Sequence, residues 1–186
     1  LETILSRCLR LNFAAEGRVV LEQGHLDWLA KFCEMAILPQ RSLLNRYRLL
    51  SSLLARLAEI RTETEKALTA RSPLERYDDI EPALKERWED ELTAAIEADY
   101  RRQRTELLVG VQWWLRDVWL QTLAVSQELL AFQALGQAAQ VVARRISTVE
   151  AVENLGILEQ TQRLLGSNVQ EALALEESSR RRLRAQ

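Results

Sequence analysis

Between Pro82 and Leu123 the chain has no second proline and a single glycine, Gly110, among residues that are mostly good helix formers. Nothing in that stretch stops an α-helix, so one long helix beginning near Ile80 or Pro82 is predicted, and the fold must be built around it. Asp78 and Asp79 offer capping carboxylates and negative charge for its N-terminus. The stretch changes character along its length. Up to Arg104 it is highly charged, with Glu97 and Arg101 spaced as a favourable i,i+4 pair. Beyond Thr105, a broad apolar face of Leu107, Leu108, Val111, Trp114, Leu115, Val118, Trp119 and Leu123 must be buried. A helix solvated in one half and buried in the other predicts a bundle member with a projecting end. Gly110 within it costs about 1 kcal/mol relative to alanine.

The other segments read as partners for that helix. Residues 14–24 read as a loop, and Gly24 precedes a short amphipathic segment with Leu26, Leu29, Phe32, Cys33 and Ala36 at helical spacing. Pro39 marks a break and a new helix start. Residues 42–70 repeat Leu43, Leu44, Leu50, Leu53, Leu54, Leu57 and Ile60 on one face, and Ser72-Pro73 ends that run. A further helical segment is predicted over residues 128–146, where Gly136 is a point of division. Thr148 is expected to cap a helix carrying Val149, Val152, Leu155, Leu158, Thr161 and Leu165, with Gly166 closing it in the left-handed conformation. Asn168 to Glu171 reads as a capping box opening a last helix over residues 172–182.

With six glycines and three prolines in 186 residues, and apolar residues at 47%, the composition is that of an all-α globular protein. A formal net charge of −2 argues against the general basicity of a nucleic-acid binder. No apolar run has the length to span a bilayer. Two cysteines, Cys8 and Cys33, make no disulfide framework, so a reducing, cytoplasmic setting is expected.

Catalytic and cofactor signatures are few. The phosphate-cradling P-loop and the GxGxxG fingerprint are both missing from the sequence. One histidine and two distant cysteines do not supply four ligands at zinc spacing, and no cofactor or metal is expected. His25, beside an apolar helix start, is expected as a cap or surface side chain. At i,i+8 on one helix, His25 and Cys33 stand too far apart for a catalytic pair. Glu86, Glu89, Asp90, Glu91 and Glu97 alternate with Lys85, Arg87 and Arg101 as on a solvated helix face. Trp113, Trp114 and Trp119 sit within an apolar stripe, where core packing is the expected role. The basic end, Arg180 to Arg184, reads as a solvated terminus. The chain alone is therefore not expected to be an enzyme.

The first residues carry a different signal. They open with no initiator methionine and no signal peptide. A short apolar run leads into Ser6-Arg7-Cys8, then an alternating Leu9, Leu11, Phe13 that would suit a strand. The planar guanidinium of Arg7 suits a γ-phosphate, and an arginine supplied in trans stabilises charge developing in phosphoryl transfer. A helix cap or a surface ion pair is the structural alternative for Arg7.

Three segments together resemble the clamp-loader family of AAA+ proteins, in particular delta-prime subunits of bacterial DNA polymerase III. They are Ser6-Arg7-Cys8, then the stretch from Tyr100 to Leu108 followed by Trp114-Leu115-Arg116-Asp117, and the stretch from Leu164 to Glu176. The resemblance implies an all-α helical collar domain with a long antiparallel helical hairpin, preceded by a short remnant of an AAA+ module. Residues 1–38 would end the ATPase-like module with a reduced lid or linker, and residues 39–186 would form the collar. It implies a subunit that supports sliding-clamp loading in DNA replication, with Arg7 as an arginine finger in trans within the Ser6–Cys8 motif. Trp114, Leu115, Trp119, Leu158, Leu165 and Leu173 would face neighbouring collars. Partners would be the ATPase subunit and delta, with the sliding clamp and primed DNA reached only through the assembly, and no membrane. The sequence departs from the family in having too little chain before Pro39 for a full three-helix lid. Either the lid is reduced or residues 42–70 take part of its role, and residues 79–104 would pair with them as the projecting hairpin. The last helix also turns basic early. The competing reading is a helical adaptor or scaffold unrelated to replication, binding partner helices in a groove.

Overall fold

Five helices make up the framework in a computed structural model that describes residues 20–38, 43–75, 77 and 81–166. They are α1 (Gln23–Ile37), α2 (Leu43–Thr69), α3 (Pro82–Thr122), α4 (Gly136–Ala143) and α5 (Thr148–Gly166). Short 3-10 turns at Pro73–Glu75, Gln127–Leu129 and Gln133–Leu135 join them. The described residues contain no strand and are all-α. The strand reading of residues 9–13, the Ser6-Arg7-Cys8 motif, the Asp78 and Asp79 caps, Leu173 and the last helix lie outside the described residues.

The predicted long helix is α3, unbroken over 41 residues. It starts with Pro82 at its first position, where the missing N–H is no loss. The cap residue is Glu81, whose side chain makes no capping bond; its carbonyl accepts from Leu84 N–H at 3.0 Å and Lys85 N–H at 2.9 Å. At the other end Ala124 N–H donates to the Gln121 carbonyl at 3.2 Å and Val125 N–H to the Leu120 carbonyl at 3.3 Å. That is the Schellman pattern, and it forces Ala124 to a φ of 54°. Alanine at this φ costs on the order of 1 kcal/mol that glycine does not. Ala124→Gly is therefore expected to raise the unfolding free energy by about 0.5–1 kcal/mol, read as a higher urea midpoint at unchanged slope.

Helices α2 and α3 lie antiparallel. Leu49 packs on the cluster that holds Val111 and Trp114, whereas Arg61, three turns on, pairs with Glu97 and lies over the Tyr100 ring at 5.2 Å. Gln103 Nε2 donates to Thr64 Oγ1 at 3.0 Å along the same seam. Glu97 thus meets Arg61 across the hairpin, where the sequence suggested Arg101. Beyond Tyr100 towards Pro82 most side chains are exposed, with i,i+4 pairs such as Arg87–Glu91 at 2.9 Å on the solvent side. Such pairs add only about 0.3–0.5 kcal/mol each. What orders this end is the seam with α2 and the tilted contact of Tyr77 on Trp88, 6.1 Å between ring centroids.

Two buried clusters hold the bundle. The first joins Leu29, Cys33 and Ala36 of α1 to Val111, Trp114 and Val118 of α3, to Phe132, and to Ala139 and Ala143 of α4. The second joins Leu53, Leu57 and Ile60 of α2 to Tyr100, Leu107 and Leu108 of α3 and Leu165 of α5. Trp28 and Leu158 pack against both. Helix α1 is part of the first cluster and also meets α2.

The helical segment expected over residues 128–146, with Gly136 as its point of division, is α-helical only over Gly136–Ala143. It holds two 3-10 turns, and α4 begins only at Gly136. The cause is long-range. Asp117 of α3, itself 1% exposed, accepts the Ala131 N–H on Oδ1 and the Phe132 N–H on Oδ2, each at 2.9 Å. Two amides bound to a carboxylate fourteen and fifteen residues upstream are lost to a local helix ladder. The cap of α5 is shifted by one residue from expectation. Ser147, not Thr148, is the N-cap: Glu150 N–H donates to Ser147 Oγ at 3.2 Å and Ser147 N–H donates to Glu150 Oε2 at 2.6 Å. Gly166 is the last residue of α5, and no described glycine has a positive φ.

Candidate functional site

Helices α3 and α5 run antiparallel, and two bonds fix their register. Arg104 Nη2 donates to the Leu165 carbonyl at 3.0 Å, and Gln112 Nε2 donates to Glu159 Oε1 at 3.4 Å. The first bond satisfies a carbonyl at the C-terminal end of α5 with a cation, which the helix dipole favours. Continuing that register brings Trp119 level with Val152, and Leu123 level with Thr148 and Val149. At this end of the bundle the apolar surface is uncovered: Leu123 is 49% exposed, Val149 67% and Val152 49%. Exposed apolar side chains gathered at one end of a bundle suit a contact surface more than a catalytic one.

Beside it opens a cleft of about 540 Å³ between the end of α3, α4 and the start of α5. Gln121, Gln140, Arg144, Ser147 and Thr148 line it, with Ala143 among them. Gln121 Nε2 and Trp119 Nε1 are buried without a hydrogen-bond partner. Uncovered valines and leucine beside a polar cleft have the make-up of an interface core with its rim.

The residues expected to face neighbouring subunits divide into distinct groups. Trp114, 2% exposed, is edge-on to Phe32 at 6.2 Å and belongs to the chain's own core. Leu165, 7% exposed, belongs to the second cluster. Leu115 and Leu158 are half-buried and pack against the clusters. Trp119 is half-buried at the uncovered end. Leu123, Val149 and Val152 are the residues most available there, and the sequence reading treated them as part of buried helix faces. Helical spacing carried the signal for one of them: Val149 stands two positions from Ala151, which is 2% exposed, and so on the far side of α5 from its buried row.

His25 is placed otherwise than expected. It is 1% exposed, and neither ring nitrogen has a partner. Burial, and next the Arg56 guanidinium, hold its pKa below the ordinary value, while Glu22 and Glu106 pull less strongly the other way. The signal was legible: Leu29, Cys33 and Ala36 form one row of α1, and one turn back along that row stands His25. Burial pushes the Cys33 thiol far above its usual range, so it sits in the core as a small apolar group. Burial also raises Asp117, while the Ala131 and Phe132 amides and Arg116 pull it back. Among the described residues no three of His, Cys, Asp and Glu are grouped to hold a metal ion. None of the described helices is long and apolar enough to cross a membrane. No family model, no curated protein and no solved structure matches this chain.

Proposed function

We propose that this chain is the collar region of a clamp-loader subunit of the delta-prime kind, a scaffold in the ATP-dependent loading of the sliding clamp at primed DNA in the cytoplasm. The observation that carries the reading is the uncovered apolar end formed by Leu123, Val149 and Val152. It lies at the shared end of α3 and α5, the helices of Trp119 and Leu158, which the family resemblance assigns to contacts between neighbouring collars. The chain would hydrolyse nothing itself. Arg7, with Ser6 and Cys8, would complete the ATP site of the adjacent ATPase subunit, and delta would be a further neighbour.

The test is co-elution on size exclusion with the ATPase subunit and delta of the same organism. A shared peak is expected, and Val149→Asp with Val152→Asp should abolish it. Both positions are exposed, and an acidic residue suits the first turns of a helix, so the circular dichroism spectrum should stay that of the parent. Arg7→Ala should leave the shared peak intact and lower DNA-stimulated ATPase by about tenfold or more. Separate peaks from a well-folded chain would instead support the adaptor reading, in which the same apolar end takes an unrelated helix.

A further inference from the structure

Helix α1 is held in two different ways along its length. From Leu29 onward its buried residues, Leu29, Cys33 and Ala36, belong to the first apolar cluster. In the turns before that only His25 is fully buried, and Leu21, Leu26 and Trp28 are half-buried against the clusters. Glu22 makes no side-chain cap, and Gln23 and Asp27 bond to each other at 2.7 Å on the exposed side. Leu21 fits over Gly110 of α3 so closely that a methyl group on Gly110 would stand 2.7 Å from Leu21 Cδ1. Gly24 faces Arg56 of α2, whose Nη2 would lie 3.7 Å from an added Cβ. Between these two points of approach the His25 ring is enclosed, with no hydrogen bond to either nitrogen.

The charges around that ring come from all three helices at the joint: Glu22 at the start of α1, Arg56 on α2, and Arg102 and Glu106 on α3. Most are already engaged. Arg56 Nη1 pairs with Glu59 at 2.6 Å and Glu63 at 3.5 Å, and Arg102 pairs with Asp99 at 2.7 Å and Glu106 at 2.8 Å. A neutral imidazole is tolerated there. A second proton would place a cation in an enclosed site beside the Arg56 guanidinium, with no acceptor bonded to carry it away.

We propose that the first turns of α1, residues 21–28, are a proton-operated joint that leaves its seat on α2 and α3 when His25 takes a second proton, while residues 29–37 stay in the core. The direction follows from linkage. In the undocked form the ring protonates near the ordinary value of about 6.5. In the seated form it protonates only at lower pH, so acid favours the undocked form and neutral pH favours the seated one. The chain's entry angle into the bundle would change with that step.

The chain has one histidine, so a single imidazole Cε1–H resonance in proton NMR reports this ring alone. Its midpoint is expected below 6.5, and over the same pH range the backbone amides of residues 21–28 should lose exchange protection. Amides of residues 29–37 and of α2, α3 and α5 should keep theirs. His25→Phe should hold residues 21–28 protected across the whole range. Gly110→Ala, which displaces Leu21 without touching the ring, should move the His25 midpoint up towards 6.5. A ring that titrates while residues 21–28 stay protected would overturn the proposal. So would a loss of protection shared at once by all the helices, or the same acid opening in a folded His25→Phe chain.

Discussion

Asp117→Ala is expected to lower the unfolding free energy by about 2–4 kcal/mol. The carboxylate receives two backbone N–H groups, Ala131 and Phe132, at 2.9 Å each, and alanine leaves both donors buried or half-buried with nothing to bond. The loss is tempered because the same change removes a carboxylate that burial disfavours. Asp117→Asn should cost less, since its amide oxygen still accepts one N–H while its NH₂ faces the other. The order of urea midpoints is then wild type, Asn, Ala. Equal midpoints for the Ala and Asn variants would show that only one of the two bonds contributes. For a domain stable by roughly 5–15 kcal/mol, the alanine variant is a substantial loss, and the 124–135 connection should be the first region to lose exchange protection.

Trp114→Ala should cost more, about 3–5 kcal/mol. Trp114 is 2% exposed at the centre of the first cluster, and its truncation leaves a cavity bordered by α1, α3 and α4 as well as losing the edge-on contact with Phe32. Aromatic contacts of this geometry are worth about 0.5–1.5 kcal/mol beyond their area. Trp114→Phe is the informative control. The indole Nε1 has no partner, so phenylalanine gives up volume without giving up a hydrogen bond. It should cost about 1–2 kcal/mol, less than half the alanine value. Similar losses for Phe and Ala would point to a hydrogen bond of Nε1 as the principal role of the indole.

What could be read beforehand follows from the range of the forces involved. Helices α2 and α3 were legible because their determinants are local: apolar spacing over many turns, Ser72-Pro73 as a stop, and Pro82 at a first helical position. The hairpin they make follows from the shortness of the connection between them. The region after α3 was not legible, because its course depends on Asp117 capturing the amides of Ala131 and Phe132 from another element. No local pattern encodes that pairing. His25 was misplaced for a different reason. Its polarity suggested solvent, while its position in the Leu29–Cys33–Ala36 row required burial, and the row prevailed. Of the expected contact residues, Trp114 lies inside the chain's own core, because the α3 face it shares with Val111 and Val118 is covered by α1 and α4. Apolar periodicity distinguishes buried from solvated faces, but not burial against the same chain from burial against another.

The unbroken course of α3 has a mechanical consequence. Its one glycine, Gly110, is clasped beneath Leu21, and its one proline stands at its first position, so the helix has no internal hinge. From Tyr100, seated in the second cluster, to Pro82 it extends about 27 Å at the usual rise per residue. Such a rod is a lever with its fulcrum in the bundle: a tilt of about 10° at the base sweeps the far tip through about 5 Å. A protein bound at the Leu123 and Val149 end and one touching the tip near Trp88 would each feel the other's movement, although they share no surface.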